Sequence, residues 1–220
     1  MRVRSQVALI FDLDGVLVHS MPLHIEAWNR YLARFGMSCS DVEHVMHGKR
    51  NSELVRQLFG EGLADDVVFE HGAAKERLFR EMLLETDLSA CRVQGLTEFL
   101  ERYRDFPKAI ASNAEPANID FVIDRLKLRR YFQVIVDGHQ VSRPKPFPDV
   151  YLRAAELLGF EPKGCIVFED SPTGVTAAIA AGMRVVAIET TPTKFERVDL
   201  KVRDFSDARL EAWMHAQANT

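Results

Sequence analysis

The sequence predicts an α/β protein: a doubly wound parallel sheet with an all-helical cap inserted into it. Three observations lead there. Short, β-rich apolar runs recur at residues 7–11, 108–111, 134–136, 165–168 and 185–188. Segments of helical periodicity, at 119–126, 149–158 and 174–181, alternate with most of them. The interval from about 19 to 91 carries no strand pattern at all. Near-continuous apolar strands belong to a sheet covered on both faces, and right-handed crossovers then favour a Rossmann-like order.

Taken in chain order, the first run, "VALIF", passes straight into Asp12-Leu13-Asp14-Gly15. Helices are expected next at 23–35, ended by Gly36 at a C′ position, at 51–59, ended by Gly60, and at 65–84. Inserted after a strand, such a block reads as a separate lid. The expected division is a core of residues 1–18 and 92–220 and a cap of residues 19–91, with hinges at 18–22 and 90–95. The second run, "KAIASN", ends in Ser112 and Asn113. Lys145, in "RPKPFPD", is expected to begin a helix after the third run. The fourth run, "CIVFEDS", ends in Glu169, Asp170 and Ser171.

Composition narrows the function classes. The 220 residues suffice for one core and a smaller accessory unit. A formal charge of −4 argues against a dedicated nucleic-acid binder. Arg2 and Arg4 precede an apolar run too short for a signal peptide, broken at once by Asp12 and Asp14. No stretch approaches the roughly 20 apolar residues of a membrane span. Cys39, Cys91 and Cys165 are few and scattered, which indicates neither a disulfide framework nor a zinc site. The expected setting is the cytoplasm, without a membrane or nucleic-acid partner.

The polar strand ends carry the chemistry. In a parallel sheet all carboxyl ends share one edge, where ligands bind. Asp12 and Asp14, two residues apart, can face one pocket. Gathering them with Glu169 and Asp170 is unfavourable without a cation, and several hard oxygens around an open site suit Mg²⁺. Lys145 can hold a phosphate oxygen or an aspartate, and Ser112 can bind the remaining phosphate oxygens. The set amounts to a phosphoryl-transfer site, with one carboxylate as nucleophile and its neighbour as general acid and base.

At these residues the chain resembles the haloacid dehalogenase superfamily, in the branch of β-phosphoglucomutase and small sugar-phosphate phosphatases. "FDLDGVL", "IASN", Lys145 in "KPFPD" and "FEDSPTGVTAAIAAGM" resemble its four motifs, in order and at its spacing. The resemblance implies Asp12 as the phosphorylated nucleophile and Asp14 as the general acid and base. It implies Mg²⁺ on the Asp12 carboxylate, the Asp14 carbonyl and Asp170, with Glu169 close by. Ser112 and Lys145 would bind the transferring phosphoryl group, flanked by Asn113. In the cap, "LHIEAW" and "HGKRNSEL" resemble substrate-facing segments. These imply His24 and Trp28 against substrate and Arg50 on a distal phosphate, and Lys75 falls at a further phosphate-binding position. His19-Ser20 depart from the family's usual Asp-Thr at the hinge, and Gln94-Gly95 from Pro-Gly.

Plainer readings stand beside these: a turn at Asp12–Gly15, a helix cap at Glu169–Ser171, cap core at His24 and Trp28, a surface charge at Arg50 or Lys75. His47 and His71 read as surface histidines. The expected activity is a Mg²⁺-dependent phosphatase of small phosphate esters, acting as a monomer. A phosphomutase using the same nucleophile is the alternative. A non-catalytic regulatory protein on this scaffold is a third reading, which four filled motifs argue against.

Overall fold

The computed structural model describes residues 7–46, 49–190 and 194–218; Arg2, Arg4 and His47 lie outside them. β1 (Ala8–Phe11), buried along its whole length, sits inside a six-stranded sheet of order β3-β2-β1-β4-β5-β6. It pairs in parallel with β2 (Lys108–Ala111) and β4 (Cys165–Glu169). β3 (Val134–Val136) flanks β2, while β5 (Arg184–Ile188) and β6 (Leu200–Val202) complete the other side, all parallel. Phe11 registers with Ile110 and with Phe168. Asp12 therefore leaves the sheet level with Glu169 and one residue short of Ser112, at the point where the strand order reverses.

Because strand side chains alternate, the sheet builds two separate cores. Leu9, Phe11, Ile110, Ile166 and Phe168 face one layer, and the Phe11 and Phe168 rings stack 4.6 Å apart. Ala8, Ile10, Ala109, Ala111 and Val167 face the other, against α7 (Asp149–Leu158) and α8 (Pro172–Ala180). The small residues on that second face let these helices approach the sheet closely.

Between β1 and β2 the described residues hold only helices: α1 (Met21–Ala33), α2 (Val42–Met46), α3 (Asn51–Phe59), α4 (Asp65–Glu85) and α5 (Leu96–Arg102). α1 buries His24, Ala27, Trp28, Tyr31 and Leu32, the i, i+3, i+4, i+7, i+8 stripe of an amphipathic helix. α4 answers with Val68, Gly72, Lys75, Glu76, Phe79, Met82 and Leu83. The chain's two passages between this block and the sheet run side by side. The His19 N–H donates to the Cys91 carbonyl at 2.7 Å and the Val93 N–H to that of Leu17 at 3.2 Å.

Several expectations need correction. β4 and β5 each extend one residue beyond the apolar run, and α1 starts at Met21 and ends at Ala33. α2, α5, β6 and the last helix, α9 (Ala208–Ala218), were not anticipated. β6 is three residues, Leu-Lys-Val, with no pattern long enough to read. Lys145 does not begin a helix: α7 starts at Asp149. Pro146 and Pro148 disfavour helical backbone at the residue before each, which keeps Lys145 in a loop. His71 is half-buried rather than a surface group; it stacks on Phe59 at 4.2 Å and pairs with the Tyr31 hydroxyl at 2.9 Å.

Candidate active site

At the carboxyl edge of the sheet, Lys145 ties two strand ends together. Its Nζ donates to Asp12 Oδ1 at 2.7 Å and to Glu169 Oε1 at 2.7 Å. The loop that presents it is itself anchored: the Lys145 N–H donates to Asn113 Oδ1 at 3.2 Å, and the ammonium lies 4.7 Å above the Tyr151 ring. Glu169, fully buried, also accepts from the Tyr151 hydroxyl at 2.8 Å. Its Oε2 takes the N–H groups of Asp170 and Ser171 at 2.8 Å and the Ser171 hydroxyl at 2.9 Å. Ser171 caps α8 as well, accepting from the Gly174 N–H at 3.1 Å.

Two glycines make room for these acids. A Cβ on Gly174 would fall 1.6 Å from Glu169 Oε1. Gly15 adopts φ +77°, open to glycine at no steric cost, and a Cβ there would meet Asp170 Oδ2 at 1.8 Å.

Oxygens of Asp12, Glu169 and Asp170 lie within 4.8 Å of one another, all three residues buried. Burial, followed by the charges of Glu169 and Asp14, pushes the Asp12 carboxyl up to about 7 against the pull of Lys145. Burial and the charges of Glu169, Asp12 and Asp14 push Asp170 well above the carboxylate range. For Glu169 burial acts in the same direction, but Lys145 outweighs it and the group stays low. One ammonium does not balance three carboxylates in this space. A cluster of hard oxygens with surplus negative charge fits a divalent cation.

Asp14 looks the other way, toward the helical block. Its Oδ1 accepts a short hydrogen bond from Ser20 Oγ and lies 3.6 Å from His24 Nε2. Burial alone would raise its pKa, but His24 and Ser20 hold it below the ordinary value. His24 stacks on Phe79 at 3.7 Å, and its Nδ1 meets Lys75 Nζ at 2.9 Å. Lys75 in turn binds Glu76 Oε1 at 2.9 Å. The serine in the departing His19-Ser20 pair thus still brings a hydroxyl to Asp14.

Every singled-out residue except Arg50 lines one pocket, between the strand ends and the helices: Asp12, Asp14, His24, Trp28, Lys75, Ser112, Asn113, Lys145, Glu169 and Asp170. Ser112 is buried there, its N–H on the Val136 carbonyl at 3.0 Å and its Oγ accepting from Ala114 N–H at 3.2 Å. Trp28 is fully buried, and its Nε1 has no hydrogen-bond partner among the described residues. Arg50 turns to the core loop after β3, where Nη2 donates to the Gly138 carbonyl at 2.6 Å and that of Val141 at 3.1 Å.

Sequence reasoning missed several partners. Glu76 is buried and accepts from Asn51 at 2.7 Å and from Asn118 at 2.5 Å. Asn118 belongs to α6 (Pro116–Arg125) in the core and also accepts from Arg80 at 2.7 Å. Tyr151 is hidden in the second core, with its hydroxyl on Glu169. One signal was present for Glu76: Lys75-Glu76 interrupts an otherwise apolar stripe at 68, 72, 79, 82 and 83.

The chain is similar to known proteins over most of its length. Residues 9–188 match the profile of the haloacid dehalogenase-like hydrolases. Fructose-1-phosphate phosphatase YqaB of Escherichia coli is 31% identical over 184 residues, covering 82% of this chain and 95% of that protein. β-Phosphoglucomutase of Mycobacterium bovis is 32% identical over 209 residues, covering 81% and 79%. The crystal structure of a family IA, variant 3 HAD hydrolase from Entamoeba histolytica superposes with a TM-score of 0.86 at 25% identity, over 97% of this chain and all of that one. With the matched profile spanning β1 to β5 and the acids, lysine and serine gathered at one sheet edge, this chain belongs to the haloacid dehalogenase-like hydrolase family.

Proposed function

We propose that the protein is a Mg²⁺-dependent phosphatase of small phosphate monoesters, sugar phosphates above all, working through a phosphorylated Asp12. The observation that carries this reading is the buried triangle of Asp12, Glu169 and Asp170, with Lys145 bridging the first two and Asp14 lining the same pocket toward the helices. Asp12, Asp170 and Glu169 would hold the ion, joined by the Asp14 carbonyl. Bound there, Mg²⁺ supplies charge neutralisation between the carboxylates and the phosphoryl oxygens.

The chain's own groups do the rest. Lys145 and Ser112 hold the phosphoryl oxygens, and Asn113 fixes the Lys145 loop. Asp12 attacks phosphorus in line, the ester P–O bond breaks, and the departing alcohol takes its proton from Asp14 in its minority acid form, since Ser20 and His24 favour the carboxylate. Asp14, now ionised, takes a proton from water as that water attacks the phosphoryl group on Asp12, releasing phosphate and restoring both acids. The helical unit of residues 19–91 acts as a cap, its paired connections at 17–19 and 91–93 serving as the hinge, and excludes bulk water. A phosphomutase would need a grip on a second phosphate, and Arg50, donating instead to Gly138 and Val141, favours the phosphatase.

One copy of the chain carries all the groups assigned to the reaction, as action as a monomer requires. Three free thiols favour a reducing compartment, the cytoplasm. No helix among the described residues is long and apolar enough to cross a membrane.

Phosphate release from a panel of sugar phosphates, with Mg²⁺, tests the reading. Wild type is expected to turn over monoesters and Asp12→Asn to release none while keeping its circular dichroism spectrum. Full activity in Asp12→Asn would end the mechanism.

A further inference from the structure

The far half of the pocket carries chemistry that the reaction at Asp12 does not use. Glu76, on α4, and Glu115, the N-cap of α6, line the same space from opposite sides. Asn51 spans them, its Nδ2 donating to Glu76 Oε1 at 2.7 Å and to Glu115 Oε1 at 3.1 Å. Asn118 holds the other oxygen of Glu76 at 2.5 Å. Glu76 is buried and saturated by Lys75 and the two amides; Glu115 is half-exposed, with Asn51 as its hydrogen-bond donor among the described residues.

Most of the positive charge is committed elsewhere. Lys75 is engaged by His24 and Glu76, both at 2.9 Å. Lys49 reaches the pocket from its exposed rim and donates to the neutral Gln57. Arg50 is turned out of the pocket onto the Gly138 and Val141 carbonyls. A second phosphate in this half would bring a charge of about −2 beside two carboxylates, with exposed Lys49 the one lysine of the lining not already paired with an acid. A chain of hydroxyl groups would instead find acceptors in Glu115 and donors and acceptors in the two asparagines.

We infer that Glu76, Glu115, Asn51 and Asn118 form the specificity subsite for an uncharged polyhydroxyl group on the substrate, and that their carboxylates exclude substrates bearing a second phosphate. Glu115 binds hydroxyls directly. Glu76 acts through its charge and by orienting the asparagines. The inference rests on the phosphatase reading above and names its substrate class.

The test compares kcat/KM for a hexose monophosphate with that for the bisphosphate of the same hexose, under saturating Mg²⁺. Wild type is expected to prefer the monophosphate by about tenfold or more. Glu115→Gln should narrow the ratio, and Glu115→Lys should abolish or reverse it, chiefly by lowering KM for the bisphosphate. Glu76→Gln should narrow it too; should that variant fail to fold with Lys75 unpaired, the Glu115 pair decides. A merely structural role would depress both substrates together and leave the ratio unchanged, which would overturn the inference. Equal use of both substrates by wild type would do the same while leaving the phosphatase reading intact. Absence of release from every monophosphate would remove both.

Discussion

Gly174→Ala is a one-methyl change in the first turn of α8 that separates local propensity from the geometry of the site. Alanine is ordinarily better in a helix than glycine by about 0.5–1 kcal/mol, so helix energetics alone predict a more stable protein. The structure predicts the opposite. The new Cβ would lie 1.6 Å from Glu169 Oε1, 1.9 Å from Cδ and 2.5 Å from Oε2, so the carboxylate must leave its slot. In leaving, Oε1 gives up Lys145 and the Tyr151 hydroxyl, and Oε2 the N–H groups of Asp170 and Ser171. Breaking a buried ion pair costs about 3–5 kcal/mol, of which the helix returns up to about 1. We expect a net loss of about 2–4 kcal/mol, read as a lower urea midpoint at unchanged m-value. With Lys145 no longer positioned between two acids, kcat should fall at least about a hundredfold. A Gly174→Ala protein as stable and as active as wild type would refute the claim that the glycine exists to admit Glu169.

Three further outcomes follow from the same geometry. Removing divalent cations with a chelator should abolish phosphate release, and Mg²⁺ should restore it and raise the melting temperature by relieving the crowded acids; a melting temperature indifferent to Mg²⁺ would count against the ion site. Glu76 should make the fold acid-sensitive: burial opposes its ionisation, but Lys75, His24 and Asn118 hold its carboxyl near 2 against an ordinary 4.5. Between those values the unfolded chain binds the extra proton, so stability is complete above about 4.5 and declines as pH falls toward 2, by about 3 kcal/mol in all. Acid titration of wild type against Glu76→Gln checks this, the variant lacking that slope. Arg50→Met should raise KM for monophosphates and bisphosphates by similar factors, since the guanidinium joins cap to core through the Gly138 and Val141 carbonyls; a selective loss with bisphosphates would place Arg50 on substrate instead.

Much of this was legible in the chain because the relevant signals are local. Five apolar runs become strands nearly as read, fully buried in the middle of the sheet and partly so at β3, since a strand covered on both faces needs mostly apolar residues. The helices at Asn51–Phe59 and Asp149–Leu158 match their periodic segments residue for residue. The strand-end polar groups could be assigned to one rim because parallel strands necessarily end on the same side. β6 and α5 escaped notice because three- and seven-residue elements carry too little pattern, and two prolines keep Lys145, expected to begin a helix, in the loop before α7.

Glu76, Asn118 and Tyr151 show where such reading stops. Their importance comes from contacts across 42 positions, as between Asn118 and Glu76, or 18, as between Tyr151 and Glu169. Side-chain pairing at such distances depends on how helices dock, which no local spacing encodes. Arg50 makes the same point: the family resemblance implies a substrate cation there, while docking puts it on a carbonyl pair 88 and 91 residues away. By itself, then, the sequence determined the sheet, its acidic rim and the chemistry that rim can perform, because backbone periodicity and strand direction are local properties. Only the tertiary structure decided which charges neutralise one another and which remain to face a ligand, because that depends on burial and distance between segments that meet only once the chain has folded.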